Sequence, residues 1–156
     1  MRHVISIVVE DQSGALARIV ELFTSRGYNL ESICSGVAEE AGIHRLTLVT
    51  QGDDRKIRHI MRLLNNIVYV LDVTHLDPSI SISQELMLMK LRISPKIRSE
   101  ILQLIEAFGG DIIEMNTETV SFQVIGSASK LDGVVETFRD YKIIEMARTG
   151  EAAIHK

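Results

Sequence analysis

The residue types and spacing most able to do chemistry lie in Asp11-Gln12-Ser13-Gly14, directly ahead of the apolar helical pattern ALARIVELF. Ser13 is a natural N-cap for a helix starting at Gly14. The position three residues on, where a capping box would carry Glu or Gln, is Leu16, which cannot reach back. The first amides, around Gly14, Ala15 and Leu16, therefore lack one common internal acceptor. Unpaired N–H groups at the positive end of a helix dipole receive a carboxylate or another small anion. Gly14 has no side chain to block close approach, and Asp11 beside it can accept an ammonium group. Together these groups match an amino-acid zwitterion. Asp, Ser and Gly also form caps and turns that bind nothing, so the residues alone leave both outcomes open. The same holds for Gly27-Tyr28-Asn29, which reads equally as a turn.

Little else in the chain announces chemistry. The five histidines, His3, His44, His59, His75 and His155, are scattered, with no pair at metal-ligand spacing and no HExxH arrangement. They are expected at surfaces and edges. No GxGxxG or GxxxxGK[ST] pattern offers a nucleotide cradle, and no nucleophile stands beside an evident base. One cysteine, Cys34, excludes an internal disulfide and a multi-cysteine metal site; it is expected as a small buried residue. A formal charge of −4 and a pI of about 5.7 argue against a nucleic-acid surface. The densest basic run, Arg55-Lys56-Ile57-Arg58-His59, follows Asp53 and Asp54 and reads as a solvated helix face. No segment approaches the ~20 apolar residues of a membrane span and no signal peptide opens the chain, so a cytoplasmic location is expected.

The elements that must position these residues come in two similar sets. Residues 3–9 form a short β-branched run, followed by a helix over 14–26 with Leu16, Ile19, Val20 and Phe23 on one face, closed by Gly27. Strands over 29–38 and 43–51 flank a hairpin loop at 39–42. A helix carrying Ile57, Ile60, Met61 and Leu64 follows, then a strand over 68–76. This βαββαβ order is the ferredoxin-like split unit, which covers one sheet face with helices and leaves the other bare; a bare face or edge points to an interface. Residues 77–84, rich in serine with Pro78, read as a linker. The order then repeats. A strand covers 85–93, a helix 95–108 with Pro95 in its first turn, strands 111–115 and 119–125, a helix 128–138 and a strand 142–147. The fold class is α+β, two tandem ferredoxin-like units: a first domain over 1–76, a second over 85–150, and a tail over 151–156 with no signal of its own.

The stretches SGALARIVELF and SRGYNLESI in the first half, with ELMLMKL, SKLDGVVETFR and EMARTG in the second, resemble the regulatory (small) subunits of acetolactate synthase, or acetohydroxyacid synthase. The first half is similar to their ACT domain, a small-ligand-sensing module. The resemblance implies a non-catalytic chain. Such a chain activates a catalytic large subunit and confers feedback inhibition by valine or another branched-chain amino acid. It further implies a homodimer joined sheet to sheet, with the effector at the seam on Asp11, Gly14, Ala15, Leu16, Asn29 and Leu30, and Ile33 nearby. The family commonly has Asn where this chain has Asp11, a change that adds charge suited to the ligand amine. The second half, whose first loop is Ile93-Ser94-Pro95, lacks the Asp-x-Ser-Gly pattern, and no equivalent effector site is expected there. Thiamine diphosphate, Mg²⁺ and FAD would belong to the large subunit, with no cofactor in this chain. Two other readings remain: a free-standing ACT-domain sensor controlling another enzyme or regulator, and a small enzyme on a ferredoxin-like scaffold.

Overall fold

The computed structural model describes all 156 residues and divides them into two compact units, residues 1–83 with 150–156, and residues 84–149. The first contains β1 (Arg2–Glu10), α1 (Ala15–Ser25), β2 (Leu30–Val37), β3 (Ile43–Gln51), α2 (Asp54–Asn65) and β4 (Val70–Leu76). Its antiparallel sheet has the order β2-β3-β1-β4. Alternation along β1 sends Ile5, Ile7 and Val9 to the helical side, where they meet Ala15, Ile19 and Phe23 of α1 and Ile57, Ile60 and Leu64 of α2 in one core.

The second unit repeats the plan with β5 (Ser81–Arg92), α3 (Arg98–Ala107), β6 (Asp111–Met115), β7 (Thr119–Gly126), α4 (Ala128–Phe138) and β8 (Ile143–Arg148). Its strand order, β6-β7-β5-β8, is that of the first sheet. Met87, Met89 and Leu91 of β5 pack with Ile101, Ile105, Leu131, Val134 and Phe138 of the two helices. The chain is therefore α+β with two ferredoxin-like units, as the sequence predicts.

Four details differ from the sequence expectations. The buried stripe of α1 is Ala15, Ile19 and Phe23, while Leu16 and Val20, four residues apart, stay exposed. The linker expected over 77–84 contracts to a turn: Asp77 holds the amide and hydroxyl of Ser79, Ile80 N–H donates to Asp77 O, and β5 starts at Ser81. Proline and serine content there marks one turn and not the whole segment. Pro95 lies in a turn ahead of α3, which begins only at Arg98.

The largest difference is the tail. Residues 152–155 form β9 (Ala152–His155), which belongs to the first unit, as do residues 81–83 at the start of β5. Ala153 is buried against Val4, Val49 and Leu76, on the sheet face that the helices leave uncovered. Glu151 is buried too, with its carboxylate held by Arg2 and Ser83. Four residues separated from the strands they cover by most of the chain give no periodic signal, so pattern reading could not place them.

Candidate functional site

The start of α1 is more open than its sequence implies. Gly14, not Ser13, is the N-cap residue; it stands in the left-handed region at φ 84°, and no side chain caps the helix. Glycine adopts this backbone at no steric cost. Ala15 N–H, expected to be free, donates to Gln12 O at 3.1 Å, and Arg18 N–H closes the first helical bond on Gly14 O at 3.0 Å. The amides of Gly14, Leu16 and Ala17 meet no acceptor in the chain. A Cβ built on Gly14 finds no atom within 4 Å, so the approach to these amides is clear. The open donor set is thus Gly14, Leu16 and Ala17, while Ala15 turns its methyl into the core.

Asp11 sits at the end of β1, its amide fixed to Gly42 O at 2.8 Å. Its carboxylate is exposed and lies 3.7 Å from Nε2 of His44 on β3. His44 is a neighbour that sequence spacing did not suggest; the β1–β3 register, which opposes Val9 to His44, brings it there. The hairpin loop alongside carries Glu39, paired with Arg45. The Glu39 carboxyl is held below its ordinary range, first by a hydrogen bond from its own loop backbone and then by the Arg45 guanidinium.

Within one chain the six predicted residues form two groups. Asp11, Gly14, Ala15 and Leu16 gather where β1 ends. Asn29 and Leu30 lie where it begins, because Leu30 pairs with Thr50 and Thr50 with His3. Eight residues along β1 separate the two groups, roughly 26 Å at strand rise. Asn29 is exposed, and its carbonyl accepts the Thr50 hydroxyl. Ile33 is half-buried against the helix-side core. One molecule therefore cannot present all six to one small ligand.

Two other expectations are revised. His3 is buried, not at the surface: its Nδ1 lies 3.0 Å from His75 Nε2 and its Nε2 lies 3.1 Å from Gly52 O. A carbonyl only accepts, so His3 Nε2 donates to Gly52 O. Cys34 is half-buried and lines a groove of about 400 Å³ with Val37, Arg45, Thr47 and Ala153 on the β9 face of the sheet. No group of three or more His, Cys, Asp and Glu side chains comes together to hold a metal, and no helix is long and apolar enough to cross a membrane.

Comparison with known proteins supplies the family. A sequence profile described as an AHAS small-subunit-like ACT domain matches residues 5–72, and one described as the small subunit of acetolactate synthase matches residues 84–156. The probable acetolactate synthase small subunit of Methanothermobacter thermautotrophicus is 37% identical over 155 residues, covering 99% of this chain and 92% of that protein. The chain belongs to the acetolactate synthase small-subunit family. The isozyme 3 small subunit of Escherichia coli is 34% identical, with 100% of this chain and 96% of that protein covered. The crystal structure of the small subunit from Thermotoga maritima superposes with a TM-score of 0.95 at 32% identity, covering 100% of this chain and 98% of that one. The ACT-like profile falls within β1 to β4, and the other spans the second unit together with residues 150–156.

Proposed function

We propose that this chain is the regulatory subunit of an acetolactate synthase: it activates a catalytic large subunit and transmits inhibition by a branched-chain amino acid. The observation that carries the effector site is the uncapped start of α1, with three unpaired amides and a clear approach over Gly14. The ligand carboxylate sits on these amides, and Asp11 takes its ammonium. The exposed side chains of Leu16 and Val20 receive the branched apolar group.

The split between the two residue groups supports a dimer. Strand β2 is a sheet edge with one side unpaired. Two β2 edges joined antiparallel about a two-fold axis place the start of each opposite the end of the other. The two α1 helices then run antiparallel, Gly14 of one protomer approaches Asn29 of its partner, and the exposed Leu16–Val20 stripes face each other. An effector bridging the seam favours the dimer geometry it fits better. It shifts the catalytic partner only by its difference in affinity for the two geometries. Thiamine diphosphate, Mg²⁺ and FAD belong to the large subunit, and the complex works in the cytoplasm.

Isothermal titration of the full chain with valine, leucine and isoleucine tests this site. Saturable binding of at least one, lost in Gly14→Asp, is the expected result. Left-handed backbone is comparatively tolerable for Asp and the site is spacious, so the variant folds while placing a carboxylate where the ligand's would sit. Unchanged binding would remove the helix end from the account.

A further inference from the structure

Helix α2 carries a second feature that the effector site does not use. Its buried positions are Ile57, Ile60 and Leu64, and its outward positions hold Arg55, Arg58, His59 and Arg62, all exposed. Arg55, Arg58 and Arg62 follow the i, i+3, i+7 spacing of a single stripe, about 10 Å long at helical rise. None of the three guanidinium groups meets a carboxylate, and none makes a hydrogen bond within the chain. With Tyr28 and Lys56 they line an open groove of about 570 Å³, in which the Lys56 ammonium stands 5.1 Å from the Tyr28 ring centre. The nearest acid in the groove, Asp53, is engaged as the N-cap, accepting Lys56 N–H at 2.7 Å.

For the isolated helix this arrangement is unfavourable. Cations at Arg55 and Lys56 occupy the first turn, where the helix dipole disfavours positive charge. Arg58 and Arg62 repel at i, i+4. The cluster takes four of the chain's 17 Lys and Arg, in a molecule of net charge −4. A stripe two turns long, open to solvent and floored by an aromatic ring, is too extended for one small anion to satisfy. It suits a row of carboxylates on a protein surface, and Arg and Tyr are the types that anchor such interfaces.

We infer that the outer face of α2, Arg55, Arg58 and Arg62 around Tyr28, is a docking surface for an acidic patch on the catalytic large subunit. The inference rests on the regulatory role proposed above and names the contact through which it acts. α1 and α2 share one core through Ile19, Phe23, Ile57 and Ile60, so an effector at the start of α1 and a partner on α2 press on the same packed layer.

The test is reconstitution of the full-length chain with its large subunit, titrated to half-maximal activation at low and high salt. The comparison is between the wild type, Arg58→Glu with Arg62→Glu, and the conservative Arg58→Lys with Arg62→Lys. Circular dichroism and valine titration of each free chain report whether the fold and effector site are intact. Wild-type half-saturation should rise with salt, since the exposed charges are screened. The double Glu variant should need about tenfold more protein at low salt and respond less to salt, as mutated interface charges do. The Lys variant should stay near wild type, and valine affinity should be equal in all three. Equal half-saturation for wild type and the Glu variant would overturn the docking surface while leaving the regulatory role intact. Wild type failing to activate would overturn the regulatory role itself. Inorganic triphosphate binding that is lost in a Glu variant with normal activation would make the groove a small-anion site and also overturn the inference.

Discussion

At the scale of single residues, the proposed effector site rests on the start of α1. Gly14 at φ 84° turns the chain into α1 without offering any side-chain oxygen to the first amides, and Ser13 stays outside the cap. Asp11 is the complementary group, and its only ion-pair neighbour is His44 at 3.7 Å, too long for a strong hydrogen bond. Asp11 is thus free to take a ligand ammonium. A charged hydrogen bond contributes about 1.5–3 kcal/mol, so Asp11→Ala should weaken effector binding at least tenfold in calorimetry, with the melting temperature little changed. Equal affinity in the variant would show that the ammonium is held elsewhere. Residue type and spacing point to Asp11 and to the amides around Gly14, Ala15 and Leu16, and the fold gathers these residues where β1 ends. Of the three amides expected to be free, Gly14 and Leu16 are, while Ala15 is not, because the Gln12 carbonyl that takes its N–H depends on turn geometry and not on residue identity. His44 and the His3–His75 pair were missed since strand register alone brings them to their partners.

At the scale of elements, periodicity carried most of the information. The β-branched run over residues 3–9 and the apolar stripe of α2 with Ile57, Ile60 and Leu64 pointed to core elements directly, and the structure packs them into the helix-side core. The α1 stripe was half wrong, and informatively so: Leu16 and Val20 look like core residues in sequence yet stay exposed in a single chain. Exposed apolar residues at i, i+4 on a helix are what an intermolecular seam needs. β9 was illegible because its partners lie far away in sequence, and only the folded sheet shows that Ala153 covers Val4, Val49 and Leu76. Ala153→Asp would bury an unpaired carboxylate there, at a cost on the order of 3 kcal/mol. The thermal midpoint of the full chain should fall by about 6–12 °C. Hydrogen exchange should show β1 and β3 amides losing protection first. A variant melting like wild type would mean that β9 contributes nothing to the first unit.

At the scale of the whole molecule, two units with one strand order have different surfaces. The first has an uncapped helix end, a free β2 edge and a cationic α2 face. The second has the same topology, but its first helix is preceded by Ser94-Pro95 and begins at Arg98, with no glycine at its cap. The open, glycine-capped helix start on which the proposed effector site rests is therefore found in the first unit and not in the second, even though the fold is repeated. That tandem plan was legible from hydrophobic pattern, since both sheets obey it, whereas the assignment of residues 150–156 to the first unit was not. The central claim is that the open start of α1 is where a branched-chain amino acid acts on the catalytic partner. Its most direct test is the rate of acetolactate formation by the large subunit reconstituted with wild-type chain or with Gly14→Asp, across a valine titration. The account predicts that both chains raise the rate of the large subunit, that valine lowers it for the wild type, and that valine leaves the variant complex unaffected. Inhibition of the Gly14→Asp complex at the same valine concentration as wild type would contradict it.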